Sequence, residues 1–364
     1  MTNTVLVSGG SGYIAGFLIR QLVAEGWLVH TTVRSLAKEA VVRQLLAVDN
    51  SRLMFFAADL NADAGWADAM AGCSHVAHVA SPLPAGVPKH ADELIVPARD
   101  GALRALRAAK AAGVKRFVMT SSVAAISYGR GRGVHHFTEA DWTLLGKPGI
   151  SPYIQSKTIA ERAARDWVAQ QSPQADDLRR PPPEGDGSSG QATLTHEGAG
   201  IEFCTINPSV VLGPVFGADY SASVIIVKKL LDGSLGACPD IGFGVVDVRD
   251  VADLHVRALQ ALGMAGERFI ASGRFMKLRE MADVLRAGLG PQAHKVTTRN
   301  VPDWLVRAAA LFNPVARAVV GELGSVRNQD ASHAKAVLGW ATRAEEQSIL
   351  DTARSLIEHG IVKV

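Results

Sequence analysis

Short runs of β-branched and aliphatic residues alternate with helical patterns over the first two-thirds of the chain. Strand-like apolar runs lie at 5–7, 28–33, 53–56, 75–79, 117–120 and 203–206. Segments with helical periodicity separate several of them, at 16–23, 35–48 and 98–112. Strands that alternate with helices of this length are typical of βαβ units, and right-handed crossovers then produce a doubly wound sheet. The pattern predicts an α/β fold built on a parallel sheet.

One segment breaks this alternation. Residues 172–200 are rich in Pro, Gly and Ser and lack apolar periodicity, so we expect a flexible surface insertion, whose regulatory or partner-binding role stays open.

A chain of 364 residues exceeds the usual size of one domain. We expect a large domain over 1–206, to which 247–272 returns, and a smaller substrate-binding domain over 207–246 and 273–364.

Composition excludes few classes of protein. Hydrophobic residues make up 48%, charged residues 20%, and the net charge is only +3. The densest basic stretch, from Arg104 to Arg116, has no interleaved aromatic residues before its end, so no nucleic-acid partner is expected. No apolar run reaches about 18 residues, and the strand pattern begins by Thr4, so we expect a cytoplasmic protein without a signal peptide or membrane span.

Neither the cysteines nor the paired histidines predict a metal site. Cys73, Cys204 and Cys238 are too few and too scattered for a disulfide framework or a metal centre. The pair His135-His136 has no Cys, Asp or Glu at ligand spacing, although it follows the fifth strand and could line a pocket. We therefore expect no metal.

A glycine-rich turn follows the first strand and precedes the first helix. Gly9 permits the tight turn, and Gly12 lets the backbone approach a pyrophosphate at the helix N-terminus. This context predicts a dinucleotide-binding Rossmann fold. After the second strand, where NAD-binding chains place a carboxylate, this chain has Arg34 and Ser35, with Lys38 one helical turn further. Two cations suit a 2′-phosphate and favour NADP(H), unless they are simply exposed at a helix start.

Tyr153 and Lys157 stand four residues apart in a helical pattern. Residues at i and i+4 share a helix face, so the phenol and the ammonium converge. A tyrosine has an ordinary pKa of about 10, which a neighbouring lysine and a cationic nicotinamide would lower. The pair predicts proton transfer during carbonyl chemistry beside the dinucleotide.

Several motifs together resemble one family over nearly the whole chain outside 172–200. They are Ser8-Gly9-Gly10-Ser11-Gly12-Tyr13-Ile14, Ala58-Asp59-Leu60, His78-Val79-Ala80-Ser81-Pro82, Thr120-Ser121-Ser122, Tyr153-x-x-x-Lys157, Ile206-Asn207-Pro208-Ser209-x-Val211 and Asp247-Val248-Arg249-Asp250. The combination resembles the extended short-chain dehydrogenases/reductases of the NAD-dependent epimerase/dehydratase superfamily. Within them it is similar to the branch of dihydroflavonol reductases, cinnamoyl-CoA reductases and ketone or aldehyde reductases.

The resemblance implies the roles of individual residues. Ser122 matches the catalytic serine and joins Tyr153 and Lys157, while Ser121 is the second choice because strand alternation points the two serines in opposite directions. The implied contacts to NADP(H) are Gly9, Gly12, Tyr13, Ile14, Arg34, Lys38, Asp59, Leu60, Val79, Ala80, Ser81, Thr120, Tyr153, Lys157, Pro208, Ser209 and Val211. The implied activity is reduction of a ketone or aldehyde with Tyr153 as proton donor.

The substrate is less constrained than the reaction. The mostly apolar stretch with Phe216, Tyr220, Val224 and Ile225 suggests a small hydrophobic or aryl carbonyl compound. Trp304 and Phe312 predict a helical hairpin that either covers the substrate or only packs. The chain is expected to be a monomer or a homodimer.

Three other functions remain open on this fold. One is a sugar-nucleotide epimerase or dehydratase with tightly held NAD, and another is a hydroxysteroid-type dehydrogenase. The third is a non-catalytic redox sensor that binds a dinucleotide and a partner protein. The cations after the second strand disfavour the first two, and the intact Ser122, Tyr153 and Lys157 disfavour the sensor.

Overall fold

Seven parallel strands form the central sheet. They are β1 (Thr4–Val7), β2 (Leu28–Val33), β3 (Leu53–Ala57), β4 (His75–His78), β5 (Arg116–Thr120), β7 (Glu202–Pro208) and β10 (Arg268–Ala271). Across the sheet the order is β3-β2-β1-β4-β5-β7-β10. Strands are added outward in both directions from the junction of β1 and β4, which is the switch point where open α/β sheets bind ligands. The predicted doubly wound α/β fold is confirmed.

This computed structural model describes residues 3–82, 88, 90–171, 200–217 and 220–364. The insertion predicted at 172–200 lies outside the described residues except for Gly200. Among the described residues, no helix is both long and apolar enough to cross a membrane.

Helices cover both faces of the central sheet. They are α1 (Tyr13–Ala24), α2 (Glu39–Leu46), α3 (Trp66–Met70), α4 (Asp92–Ala111), α5 (Pro152–Gln170) and α7 (Val248–Gln260). Side chains of β1 alternate between two apolar clusters, with Val5 and Val7 in the cluster that contains α1 and α7. Leu6 belongs to the opposite cluster, which holds α3, α4 and α5. The sheet is therefore buried on both faces, as parallel sheets require.

The remaining described elements lie outside the central sheet. The remaining strands are β6 (Gly133–Phe137), β8 (Val210–Leu212), β9 (Gly242–Asp247), β11 (Phe275–Lys277) and β12 (Ser325–Gln329). The remaining described helices are α6 (Val224–Leu231), α8 (Leu278–Leu289), α9 (Asp303–Ala309), α10 (Pro314–Val319), α11 (Ser332–Leu338) and α12 (Glu345–Glu358). Strands β8, β9 and β11 form one small sheet, and β6 pairs with β12 in parallel. The domain boundaries given above stay a prediction.

Two local predictions need adjustment. The helix predicted over 35–48 consists of a 3₁₀ turn at Leu36–Lys38 followed by α2. Helices α9 and α10 are adjacent, but Trp304 and Phe312 are 67% and 90% exposed. These two aromatic side chains face solvent and do not cover a pocket in this structure.

Candidate active site

Two positions in the turn between β1 and α1 require glycine. Gly9 has a φ of +74°, which L-residues with a side chain rarely adopt. A Cβ at Gly10 would lie 2.2 Å from the Thr31 hydroxyl oxygen. The Gly9 N–H donates to the Thr32 hydroxyl at 2.9 Å, and Gly12 caps α1. The backbone of this turn is therefore open to a group at the helix N-terminus, where N–H groups bind phosphate.

The turn is joined to the loop that follows β4. The buried Ser8 hydroxyl accepts a hydrogen bond from the Ala80 N–H at 3.0 Å and lies 3.0 Å from His78 Nδ1. Burial, with a contribution from the Lys157 ammonium, lowers the pKa of His78 to about 4. A neutral His78 therefore fixes the two loops that flank the predicted cofactor path.

The cations after β2 are exposed and unpaired. Arg34 and Lys38 form no side-chain hydrogen bond or ion pair with the residues that the structure describes. Ser35 caps the following 3₁₀ turn, because its hydroxyl accepts from the Ala37 N–H at 3.3 Å. Both positive charges are thus available to an anionic ligand at the carboxyl end of β2.

Two other predicted cofactor contacts follow β3. The Asp59 carboxylate accepts hydrogen bonds from the Asn61 N–H at 2.8 Å and side-chain amide at 2.9 Å, which fixes the turn. Leu60 packs against Gly101 of α4, where a Cβ would lie 2.8 Å from the Leu60 Cβ. Both residues are half-buried beside the sheet edge.

Helix α5 carries the tyrosine and the lysine at its first two turns. The Ser151 hydroxyl caps the helix by accepting from the Ile154 N–H at 3.3 Å, and Pro152 occupies the first helical position. The Lys157 ammonium lies 5.6 Å from the centre of the Tyr153 ring. It donates to the Ser81 hydroxyl at 2.7 Å, so α5 is tied to the loop after β4.

The protonation states of this pair follow from burial. Burial lowers the pKa of Lys157 to about 8. Burial also raises the pKa of Tyr153, and the neighbouring Ser122 hydroxyl acts in the opposite direction. The lowering of the tyrosine pKa expected from the sequence is not produced by the protein alone, because desolvation of the phenolate outweighs the other effects. Tyr153 is consequently a protonated donor.

The two serines after β5 face opposite ways. Ser121 is buried and donates to the Glu161 carboxylate at 2.5 Å. Ser122 is close enough to Tyr153 for its hydroxyl to lower the pKa of that phenol, and the hydroxyl lies 3.4 Å from the Pro208 carbonyl oxygen. The alternation along an extended backbone thus brings Ser122, and not Ser121, to the tyrosine.

Sequence reasoning missed Glu161, which lies two turns after Tyr153 in the series 153, 157, 161 on one face of α5. Its side chain is fully buried and accepts hydrogen bonds from Ser121, from Asn207 at 2.8 Å and from Thr205 at 3.2 Å. The spacing of four residues could have indicated Glu161 from the sequence, but the partners of Glu161 on β7 and β10 could not be predicted from it.

Two guanidinium groups neutralise this carboxylate. Arg268 lies 2.7 Å and Arg165 3.2 Å from Glu161. Burial alone would raise the pKa of Glu161, but these two guanidinium groups and the hydrogen bonds hold it below its ordinary value. Glu161 is therefore ionised, which makes it a strong acceptor.

Asn207 connects the carboxylate to the serine. Its buried side-chain amide donates both to the Ser122 carbonyl at 3.2 Å and to Glu161 at 2.8 Å. Both partners are acceptors, so the NH₂ group and not the oxygen must face them. The backbone of Ser122 is thereby fixed relative to α5.

The other predicted contacts lie at or near the carboxyl edge. Thr120 ends β5, and its buried hydroxyl lies 2.7 Å from His255, so that hydroxyl is committed to the protein. Pro208 ends β7, and the Ser209 N–H donates to the Ala271 carbonyl at 3.0 Å. Val211 is buried in β8.

The first two residues of α1 also belong to this edge. Tyr13 is buried, and its hydroxyl has no hydrogen-bond partner among the described residues. Ile14 is half-buried and packs against the core cluster below β1. Their backbone is at the N-terminal turn of the helix, where an anion is stabilised.

The apolar stretch proposed to shape the substrate site packs elsewhere. Phe216 stacks on Phe17 of α1 with ring centres 4.4 Å apart, and Val224 is fully buried in the core. Tyr220 is half-buried against the same core, and Ile225 is on the exposed side of α6. The small hydrophobic or aryl carbonyl substrate expected from this stretch stays a prediction.

The described residues fit a dinucleotide and give no sign of a metal. The glycine turn leaves no room for side chains, two unpaired cations follow β2, and polar groups follow β4 and β5 along one sheet edge. This is the edge at which Rossmann folds bind dinucleotides. Among the described residues, no group of three His, Cys, Asp or Glu side chains is arranged to hold a metal ion. The three cysteines are free and buried.

Comparisons with known proteins agree with this geometry. Residues 5–270 match the model of the NAD dependent epimerase/dehydratase family. Cinnamoyl-CoA reductase CAD2 of Medicago truncatula is 32% identical over 294 residues, which cover 78% of this chain and 80% of that protein. Dihydroflavonol 4-reductase of Gerbera hybrida is 27% identical over 292 residues, with 78% and 72% covered.

Solved structures share the fold. Gre2 of Candida albicans, solved with NADPH, superposes with a TM-score of 0.75 at 24% identity and covers 98% of this chain and 99% of its own. The resemblance to extended short-chain dehydrogenases/reductases is confirmed. The chain therefore belongs to the NAD dependent epimerase/dehydratase family.

Proposed function

We propose that the protein is an NADPH-dependent reductase of a ketone or aldehyde. The observation that carries the proposal is the convergence of Ser122 and Tyr153 at the carboxyl end of β5, with Lys157 one turn further along α5. Two hydroxyl groups that converge beside a buried ammonium suit a carbonyl oxygen that gains a proton. The reductases named among the relatives support the same reaction class.

NADPH is the proposed cofactor, and when bound it supplies the hydride that adds to the carbonyl carbon. The glycine turn with Gly9 and Gly12 would hold its pyrophosphate at the N-terminus of α1. Arg34 and Lys38, both exposed and unpaired, would bind a 2′-phosphate. The polar loop after β4 and the ends of β5 and β7 would line the rest of the path.

Three side chains act on the substrate and on the cofactor. The Ser122 and Tyr153 hydroxyls bind the carbonyl oxygen and polarise it. As negative charge develops on that oxygen, Tyr153 releases its proton to it, and solvent later returns a proton to the phenolate. The Lys157 ammonium, held by Ser81 at 2.7 Å, would orient the nicotinamide ribose and stabilise the phenolate while it exists.

A sugar-nucleotide epimerase or dehydratase on this fold has less support. Dehydratases of that type tend to place an acidic residue after the catalytic serine or threonine. In this chain the buried, apolar 3₁₀ turn Val123–Ala125 follows Ser122. The cations after β2 also favour an exchangeable NADP(H) over tightly held NAD.

Replacing Tyr153 with Phe tests the proton donor. The ring remains, but the carbonyl oxygen loses its proton source, so kcat for ketone reduction should fall by roughly 10²–10⁴-fold. NADPH oxidation at 340 nm and NADPH affinity by fluorescence titration measure the two effects separately. Tyr220→Phe, at a half-buried tyrosine that packs against the core, serves as the control. Retention of wild-type turnover by Tyr153→Phe would overturn the assignment.

Removing the two cations after β2 tests the choice of cofactor. Arg34→Ala combined with Lys38→Ala should raise KM for NADPH by about 10–100-fold, the scale of lost charge-assisted hydrogen bonds, and leave KM for NADH unchanged. Steady-state kinetics with both cofactors measures this, and Lys115→Ala at the opposite end of β5 controls for lost charge. An equal change for NADH and NADPH would contradict a 2′-phosphate site.

Asn207→Ala tests whether the buried network positions the serine. The substitution removes the link between Glu161 and the Ser122 backbone, so kcat should fall about tenfold while NADPH affinity is retained. Thr205→Val removes another hydrogen bond to the same carboxylate without contacting Ser122, and its kcat should stay near wild type. Thermal denaturation of both variants accounts for lost stability. Equal losses of kcat in the two variants would assign Asn207 a purely structural role.

A further inference from the structure

A cavity of about 520 Å³ lies between the segment after β5, the loop before α5 and strand β12. Its lining includes the charged or phenolic side chains of Tyr128, Arg130, Lys147, Glu322 and Arg327. A volume of this order is typical of small-molecule sites. The cavity is not used by the proton transfer described above.

The cavity adjoins the catalytic groups. Its lining residue Ser127 donates to the carbonyl of Val123, the residue after Ser122, at 3.0 Å, and the carbonyl of its lining residue Ile150 accepts from the Gln155 side chain, in the helical turn of Tyr153, at 3.1 Å. Burial raises the pKa of Tyr128, and the phenol of Tyr153 is close enough to contribute to that rise. A substrate whose carbonyl is at Ser122 and Tyr153 can therefore extend into this space.

The inner wall holds a rigid cation. The Arg327 side chain is 7% exposed, and its guanidinium lies 4.4 Å from the centre of the Tyr128 ring. It also pairs with the Glu322 carboxylate and donates to the Ser325 hydroxyl at 3.1 Å. A buried arginine that is stacked and hydrogen bonded is held in one orientation, so its charge is fixed at the cavity wall.

Two further cations at the rim are weakly paired or unpaired. The exposed Lys147 side chain forms no hydrogen bond or ion pair with the residues that the structure describes. Arg130 reaches Asp141 only at 3.4 Å, and both partners are solvent-accessible. The three cations Arg130, Lys147 and Arg327 thus face two carboxylates, Glu322 in the lining and Asp141 beside Arg130. This excess of positive charge attracts an anion.

We propose that this cavity binds an anionic group of the substrate, so that the enzyme reduces carbonyl compounds that carry a carboxylate or phosphate away from the carbonyl. Lys147 and Arg130 bind the anionic group, and Leu144, Pro148 and Ile150 contact the apolar body of the substrate. The inference rests on the proposed reductase function and names its substrate class. It adds an anionic group to the small hydrophobic or aryl carbonyl compound expected from the sequence.

A pair of substrates that differ in charge but little in size tests this. 4-Acetylbenzoate and 4-acetylbenzamide are compared with wild type and with Lys147→Gln combined with Arg130→Gln. The variant should lower kcat/KM for the carboxylate roughly tenfold, the scale of one charge-assisted hydrogen bond, and change the amide less than twofold. The intrinsic reactivity of each ketone cancels in the ratio of variant to wild type. Both substituted side chains are exposed, so folding should be preserved.

Lys115→Gln is the matched control, since it removes one exposed lysine at the amino end of β5. For both substrates, its kcat/KM should equal that of the wild type. 4-Acetylphenyl phosphate is measured in the same assay. The anion whose kcat/KM falls more in the variant, carboxylate or phosphate, is the one that the site prefers. Equal ratios for the carboxylate, the phosphate and the amide would overturn the inference while the reductase function stands.

Binding measurements separate the two proposals if no ketone is reduced. Isothermal titration of 4-acetylbenzoate into wild type and variant, each saturated with NADPH, does not depend on turnover. Weaker binding of the carboxylate to the variant, with binding of the amide unchanged, supports the anion site even if the reductase function fails. Binding of both compounds that is unaffected by the substitutions overturns the anion site.

Discussion

The buried carboxylate of Glu161 joins the parts of the molecule on which the active site depends. It lies on α5, the helix that carries Tyr153 and Lys157, and it bonds to the segment after β5, to β7 and to β10. A buried charge is tolerated only when it is paired and hydrogen bonded, and Arg268 and Arg165 provide the pairing. Breaking such a pair usually costs about 3–5 kcal/mol, so the helix and three strands are locked in one register. That register brings Ser122 to Tyr153.

The fold and the chemistry-bearing residues could be predicted because their signals are local. Apolar runs of strand length, separated by helical patterns, predict a parallel sheet, and glycines directly after the first strand predict a phosphate turn. Tyr153 and Lys157 needed only the helical period. The choice of Ser122 over Ser121 came from the family resemblance, and in the structure Ser121 donates to Glu161 while Ser122 lies beside Tyr153. Local patterns therefore predicted the scaffold, the glycine turn and the Tyr153–Lys157 pair, while the family resemblance implied Ser122 and most of the other candidate contacts.

The remaining features depend on contacts between distant parts of the chain. Glu161 and Arg268 are 107 residues apart in the sequence, and Arg327 and Tyr128 also belong to distant segments that no local pattern relates. The apolar composition of the stretch around Phe216 suggested that it lines the substrate site, but in the folded protein the Phe216 ring stacks on Phe17. Burial raises the pKa of Tyr153 in the protein alone, and the lowering expected from Lys157 together with a cationic nicotinamide stays a prediction. Each of these features depends on residues that only folding brings together, so the local sequence does not predict it.

Transfer of a labelled hydride tests the central claim, reduction of a carbonyl at the Ser122–Tyr153 pair, most directly. The wild-type protein is incubated with NADPH that carries deuterium in both positions at C4 and with a panel of ketones and aldehydes that includes 4-acetylbenzoate. Mass spectrometry should find one deuterium on the carbinol carbon of the product for each NADPH consumed. An alcohol product without deuterium, or NADPH bound but not consumed with any member of the panel, would contradict the account.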